Sequence, residues 1–201
     1  MKSKQIALAC ALLLLLCAGC AKTPTPPEST APASKEGGLI VTFDYEKQSG
    51  HASNQYAVWI EDMDGKLVKT LCATEFTAKG GYKNRSDSLA TWVNKAMGVS
   101  DFDAVASATP KTGTWSCWWD LTDEAGDVVL PGTYKFLVEG TLRWKNYVLF
   151  TGEIEIGDAA GAGAQAVPEY FFKGEGNQPA LDESAPEARM ITHVRAAYGG
   201  G

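Results

Sequence analysis

Apolar and polar residues alternate one for one in short runs along this chain, and that period of two confines most of it to strands with one face on a core. Leu39, Val41, Phe43 and Tyr45 alternate with Thr42, Asp44 and Glu46, and Tyr56, Val58 and Ile60 repeat the pattern. Asp62-Met63-Asp64-Gly65 then reads as a tight hairpin turn, because Gly tolerates positive φ, and it leads into a return strand from Leu67 to Cys72. Further strands are expected at Gly113 to Leu121, Gly132 to Glu139 and Tyr147 to Ile156. Beyond Gly157 the chain loosens into Gly and Ala before a last short strand, Arg189 to Ala196. Between Ser86 and Met97 the period changes: Leu89, Trp92, Val93, Ala96 and Met97 recur at spacings of three and four. That predicts one amphipathic helix, capped by Ser86 or Asp87 and stopped at Gly98, lying on the sheet. Many short strands with Gly-rich turns predict a mainly β fold, an antiparallel β-sandwich with one inserted helix.

The first residues set the compartment. Lys2 and Lys4 precede an apolar run, Ile6 to Leu16, that is too short to span a bilayer as a stable helix and suits an export signal. It closes in Leu16-Cys17-Ala18-Gly19-Cys20, which resembles the bacterial lipobox. Small residues before a cysteine let the extended backbone into a signal peptidase, and the thiol takes up the lipid. The resemblance implies a leader over 1–19, acylation of Cys20, and an extracytoplasmic protein held at the cell membrane or the outer membrane. The alternative is an ordinary signal peptide or an uncleaved apolar tail. Residues 20–38 are Pro, Thr, Ser, Ala and Glu without apolar periodicity, which predicts a disordered tether. Residues 39–201 are long enough for one domain with its own core. The formal charge is -6, and loss of Lys2 and Lys4 with the leader takes it to -8. With no basic stripe, that balance opposes nucleic acid as a partner.

Five cysteines become three after such processing, Cys20, Cys72 and Cys117. Outside the cytoplasm Cys72 and Cys117 are candidates for a disulfide, each lying in an expected strand; the alternative is two small buried residues. The signs of hydrolytic catalysis are sparse. Only His51 and His193 are present, with neither a His-x-x-x-His spacing nor a Gly-x-Ser-x-Gly elbow. Asp62, Asp64, Asp120, Asp123 and Asp127 lack the spacing of a calcium loop, and each has a sufficient role in a turn. Trp115, Trp118 and Trp119 fall within one expected strand. Trp115 and Trp119 share parity and are expected to face the core. Trp118 then points outward, as an exposed aromatic able to stack on a sugar, a flavin or a partner, unless the helix or the C-terminal segment covers it.

Trp119-Asp120-Leu121-Thr122-Asp123-Glu124-Ala125-Gly126-Asp127-Val128-Val129-Leu130-Pro131-Gly132-Thr133-Tyr134 resembles the W-D-G-x-D-x-x-G-x-x-V-x-x-G-x-Y signature of immunoglobulin-like (Ig-like) domains similar to that of the flagellar hook-capping protein. Asp64 to Leu71 resembles the D-G-x-x-V-x-x-L hairpin of the same group, and Leu121 departs from the pattern, which has Gly there. From about Gln55 to Gly157 the chain is similar to the periplasmic domain-of-unknown-function family 2271, through Ala57-Val58-Trp59-Ile60-Glu61-Asp62, the Trp92 helix, Asp103 to Thr109 and the Trp119 turn. These resemblances imply an Ig-like β-sandwich and leave activity open. Asp103-Ala104-Val105-Ala106-Ser107-Ala108-Thr109 also resembles the D-x-x-S-G-A-T motif on which exported transferases attach FMN to the final Thr. Ala106 and Ser107 depart from it, and a small-residue loop before Pro110 is the plainer reading. The sequence thus points to a lipid-anchored, non-catalytic binding or accessory module of the cell envelope. It needs no cofactor, and its partners are the membrane and another envelope protein. The alternative is an extracytoplasmic redox component with FMN bound covalently at Thr109, Asp103 being the leading acid of the motif.

Overall fold

The computed structural model describes residues 37–49, 53–108, 110–143, 146–158, 161–172 and 186–199, so Cys20, His51 and Thr109 lie outside the described residues. The fold is mainly β, in two open sheets. The first takes β1 (Leu39–Tyr45), β5 (Gly113–Trp119), β8 (Gly161–Gln165) and β10 (Ile191–Tyr198), in the order β5-β1-β10-β8, all antiparallel. The second takes β2 (Gln55–Glu61), β3 (Leu67–Thr74), β4 (Ala106–Ser107), β6 (Gly132–Arg143), β7 (Asn146–Ile156) and β9 (Val167–Phe172), in the order β4-β3-β2-β6-β7-β9. It is mixed, because the short β4 runs parallel to β3.

The expected parities of β1 and β2 hold. Leu39, Val41, Phe43 and Tyr45 of β1 meet Tyr56, Val58, Ile60, Phe136 and Val138 of the second sheet in the main core, with Trp119, Ile191 and Val194. The second sheet, however, is buried on its other face too. Ala57, Trp59 and Leu137 pack there against Leu89, Trp92, Val93 and Ala96. Every residue of β2 is buried in consequence, and Leu137 breaks the alternation of β6 because a second apolar cluster covers it.

That covering layer differs from the single helix expected. It consists of short pieces: α1 (Glu75–Ala78), a 3₁₀ turn at Gly81–Lys83, α2 (Ala90–Ala96) and α3 (Phe102–Val105). A further short helix, α4 (Pro186–Met190), precedes β10. Neither Ser86 nor Asp87 caps α2; it starts after Leu89, whose φ is 50° and whose side chain makes no cap. The caps come from β6 instead. Glu139 accepts from Thr91 N at 3.2 Å and Trp92 N at 2.8 Å, and Thr141 Oγ1 accepts from Leu89 N at 3.1 Å. Met97, expected on the apolar face, is 54% exposed beyond the helix end.

Both hairpin turns form as their residues suggest. In the first, Gly65 has φ 80° and donates N–H to Asp62 O at 3.1 Å. In the turn after β5, Gly126 has φ 90° and donates to Asp123 O at 3.1 Å. Leu121 has φ 62°, the left-handed conformation that glycine adopts without strain. Beyond Gly157 the structure corrects the expectation of a loose chain: β8 pairs Ala164 with Ala196 of β10, and β9 pairs Val167 with Thr151 of β7.

Cys72 of β3 and Cys117 of β5 are bonded, with Cα atoms 6.4 Å apart, so the bridge staples one sheet to the other. It closes a loop of 45 residues in the unfolded chain. Replacing both cysteines with Ser should therefore cost about 2–4 kcal/mol, read as an earlier urea midpoint that reductant no longer moves.

Candidate functional site

The segment from Asp101 to Trp115 holds Asp103 and Trp115, two of the residues singled out in the sequence. Asp101 caps α3, its Oδ1 accepting from Asp103 N at 3.1 Å and Ala104 N at 3.3 Å, and the one-turn helix leaves Asp103 exposed. β4 then lies beside β3, with Ala106 opposite Ala73 and Ser107 opposite Thr74. The Ser107 hydroxyl donates to Ala73 O at 3.2 Å and lies 3.3 Å from the Tyr56 hydroxyl. Ala108 is exposed, Pro110 is buried, and Thr112 Oγ1 accepts from Lys47 N at 3.0 Å, so the segment is fastened on both sides of the acceptor position.

Beside this segment, at the end of the first sheet, is a cleft of about 440 Å³ whose lining includes Asp44, Glu46, Thr112, Thr114, Arg189 and Thr192. Asp44 accepts from Thr114 Oγ1 at 2.6 Å and sits 2.9 Å from His193 Nδ1. The Thr114 hydrogen bond holds the Asp44 carboxyl below its ordinary range; burial opposes this, and His193 and Arg195 add to it. A carboxylate so engaged is a structural acceptor rather than a proton donor at neutral pH.

The three tryptophans do not divide as expected. Trp119 is fully buried, and its Nε1 donates to Thr122 O at 2.8 Å. Trp118 is 45% exposed and lies over Gly38, where a Cβ would come within 2.3 Å of its Nε1. Trp115 corrects the reading: it shares parity with Trp119 and pairs with Phe43, yet it is 40% exposed. The cause is its place at the open end of an edge strand, where its Nε1 donates to Lys111 O at 2.8 Å instead of entering the core. Only local sequence proximity could have signalled that contact.

The aspartates serve turns. Asp62 accepts from Lys66 N at 2.9 Å, Asp120 from Thr122 N at 3.1 Å, and Asp123 from Ala125 N at 2.8 Å and Asp127 N at 3.1 Å. Among the described residues no three His, Cys, Asp or Glu side chains converge as metal ligands. Sequence reasoning also missed a buried polar group under α2. Glu61 binds Lys95 Nζ at 2.9 Å and Trp59 Nε1 at 2.8 Å, and Lys95 also reaches Gly65 O at 2.6 Å.

No curated protein and no solved structure matches the chain. Among the described residues, no helix is long and apolar enough to cross a membrane. The family model described as predicted periplasmic protein, DUF2271, matches residues 39–173, a span holding both hairpin turns and the whole 101–115 segment. The chain belongs to this periplasmic family.

Proposed function

We propose that this chain is a lipid-anchored module of the cell envelope. In this reading acyl chains on Cys20 hold it to the membrane, residues 20–38 are its tether, and an Ig-like β-sandwich acts as a binding or accessory part rather than as an enzyme. The observation that supports it most is the direction of β1. Leu39, where the tether joins, pairs with Trp119, while Tyr45 at the other end pairs with Gly113, next to the 101–112 segment. A strand of 7 residues separates them, roughly 20 Å at about 3.3 Å per residue. The segment thus lies at the opposite end of β1 from Leu39, the end at which residues 20–38 enter the domain. The two sheets facing one another across the main core are the support for the Ig-like reading. On cell fractionation the protein should stay with membranes until detergent is added, and Cys20→Ala should move to the soluble extracytoplasmic fraction. Wild type released by osmotic shock alone would overturn the reading.

A second reading has its own observation. The departure at Ser107, where the motif has Gly, carries no backbone penalty in this fold. Outside glycine, positive φ among the described residues occurs only at Asn54, Leu89, Leu121 and His193, so Ser107 adopts a conformation open to any residue. Ala108, just before the acceptor, is exposed, as entry into another enzyme's site requires. On this reading the Thr109 hydroxyl attacks the FMN phosphorus of flavin adenine dinucleotide. A phosphoester forms, the pyrophosphate bond breaks, AMP leaves, and the hydroxyl proton passes to the transferase. Co-expression with an exported flavin transferase should give a band that fluoresces on a denaturing gel, and Thr109→Ala should abolish it. A dark wild-type band beside a glowing known acceptor would sink this reading.

A further inference from the structure

We propose that the end of the domain at which the chain enters is a docking face for a lipid surface; this rests on the reading of Cys20 as the anchor. Nine large apolar side chains are exposed among the described residues, and six of them, Met63, Met97, Val99, Trp118, Val128 and Leu130, gather at that end. The topology brings them there. Leu39, the first residue of β1, pairs with Trp119, the last of β5, and the β5–β6 turn starts at the next residue. β6 begins beside the β2–β3 turn, since Lys135 pairs with Glu61 and its Nζ donates to Met63 O at 3.1 Å. The last turn of α2 reaches the same end: Lys95 Nζ donates to Gly65 O at 2.6 Å, and Ser100, in the loop after the helix, donates to Glu124 of the β5–β6 turn. Of the other three, Phe76 and Trp115 lie toward the opposite end and Val167 on the edge strand β9.

Val128 and Leu130 are the most exposed, at 80% and 79%, and the turn is fastened so that they stay out. Val129 between them packs on the core and donates its N–H to Leu121 O at 2.9 Å, while the Tyr134 hydroxyl donates to Leu130 O at 2.7 Å. Apolar side chains held out on a fastened loop, with Trp118 over Gly38 at the same end, suit shallow insertion among lipid headgroups. The entry point of the chain favours lipid over any other occupant. Residues 21–38 are all that separates Cys20 from Leu39, and a flexible chain of that length spans about 25 Å. Acyl chains on Cys20 therefore keep this end beside the bilayer at an effective concentration of order mM, where a few apolar contacts suffice. Asp62, Asp64 and Asp127 border the patch, so the fitting surface is zwitterionic rather than anionic.

The test uses the full lipidated chain in phosphatidylcholine vesicles that carry a nitroxide near the headgroups. With Cys20 acylated and Cys72 bonded to Cys117, a cysteine introduced at Asp64, or at Lys111 toward the opposite end, is the one thiol of the mature chain that takes a fluorophore. Flotation with the vesicles reads the anchor. The nitroxide should quench the Asp64→Cys probe several-fold more than the Lys111→Cys probe. Adding Val128→Asp and Leu130→Asp to the Asp64→Cys chain should lower its quenching to the Lys111→Cys level, with an unchanged urea midpoint because both side chains already face water. A chain that floats while its two probes are quenched alike, or whose Asp64→Cys probe stays quenched after the double substitution, overturns the proposal and leaves the anchor standing. Shielding of that probe from aqueous iodide without lipid quenching means that a second copy covers this end, which overturns it too. A chain that does not float removes the anchor and the proposal with it.

Discussion

Trp119→Ala is expected to destabilise the domain by about 3–5 kcal/mol, read as a much earlier midpoint in a urea melt. The indole is fully buried at the end of β5, opposite Leu39, and meets the Tyr134 ring edge-on at 5.3 Å. Its N–H also holds Thr122 O at the start of the β5–β6 turn, so truncation opens a cavity and frees a turn carbonyl together. Such a loss is a large share of the stability of a domain this size. Trp118→Ala, one residue away and 45% exposed, should cost about 1 kcal/mol or less. Equal losses from the two would contradict the assignment of faces on β5.

Glu139→Leu should cost about 2–5 kcal/mol, although leucine suits an apolar layer better than a carboxylate does. Glu139 is completely buried, and its two oxygens take the N–H groups of Thr91 and Trp92. These are first-turn donors that α2 cannot satisfy itself. Leucine leaves both without an acceptor, the Trp92 N–H in a buried layer and the Thr91 N–H half-buried beside it. Glu139→Gln keeps one acceptor oxygen and should cost clearly less. If Leu and Gln behave alike in urea melts, the carboxylate is not what holds the start of α2.

These two positions also mark where the sequence was legible. β1 showed its alternation because one of its faces meets the core while the other carries Thr42 and Asp44. β6 showed its alternation only imperfectly because Leu137 is as apolar and buried as Phe136 and Val138, and a period of two blurs when both faces are covered. The start of α2 was misplaced for a related reason. A local capping residue leaves a signature in sequence, but a cap supplied from β6, some 50 residues later, leaves none. β8 was missed because Gly and Ala carry little strand propensity, and only pairing with β10 makes Gly161–Gln165 extended. At the candidate site the sequence showed Asp103 to Ala108 as a run of small residues, but the pairing of Ser107 with Thr74 of β3 left no local signal. Trp115 was misassigned because parity gives a side chain's face and says nothing of whether the strand end is covered.

We propose that this periplasmic-family domain carries acyl chains on Cys20. Metabolic labelling with a fatty-acid analogue in a bacterial host tests it most directly, because acyl chains add about 0.8 kcal/mol of membrane affinity per buried CH₂ and more than one is needed for lasting attachment. The account predicts a labelled wild-type protein and an unlabelled Cys20→Ala variant. An unlabelled wild type, or label that survives Cys20→Ala, would contradict it.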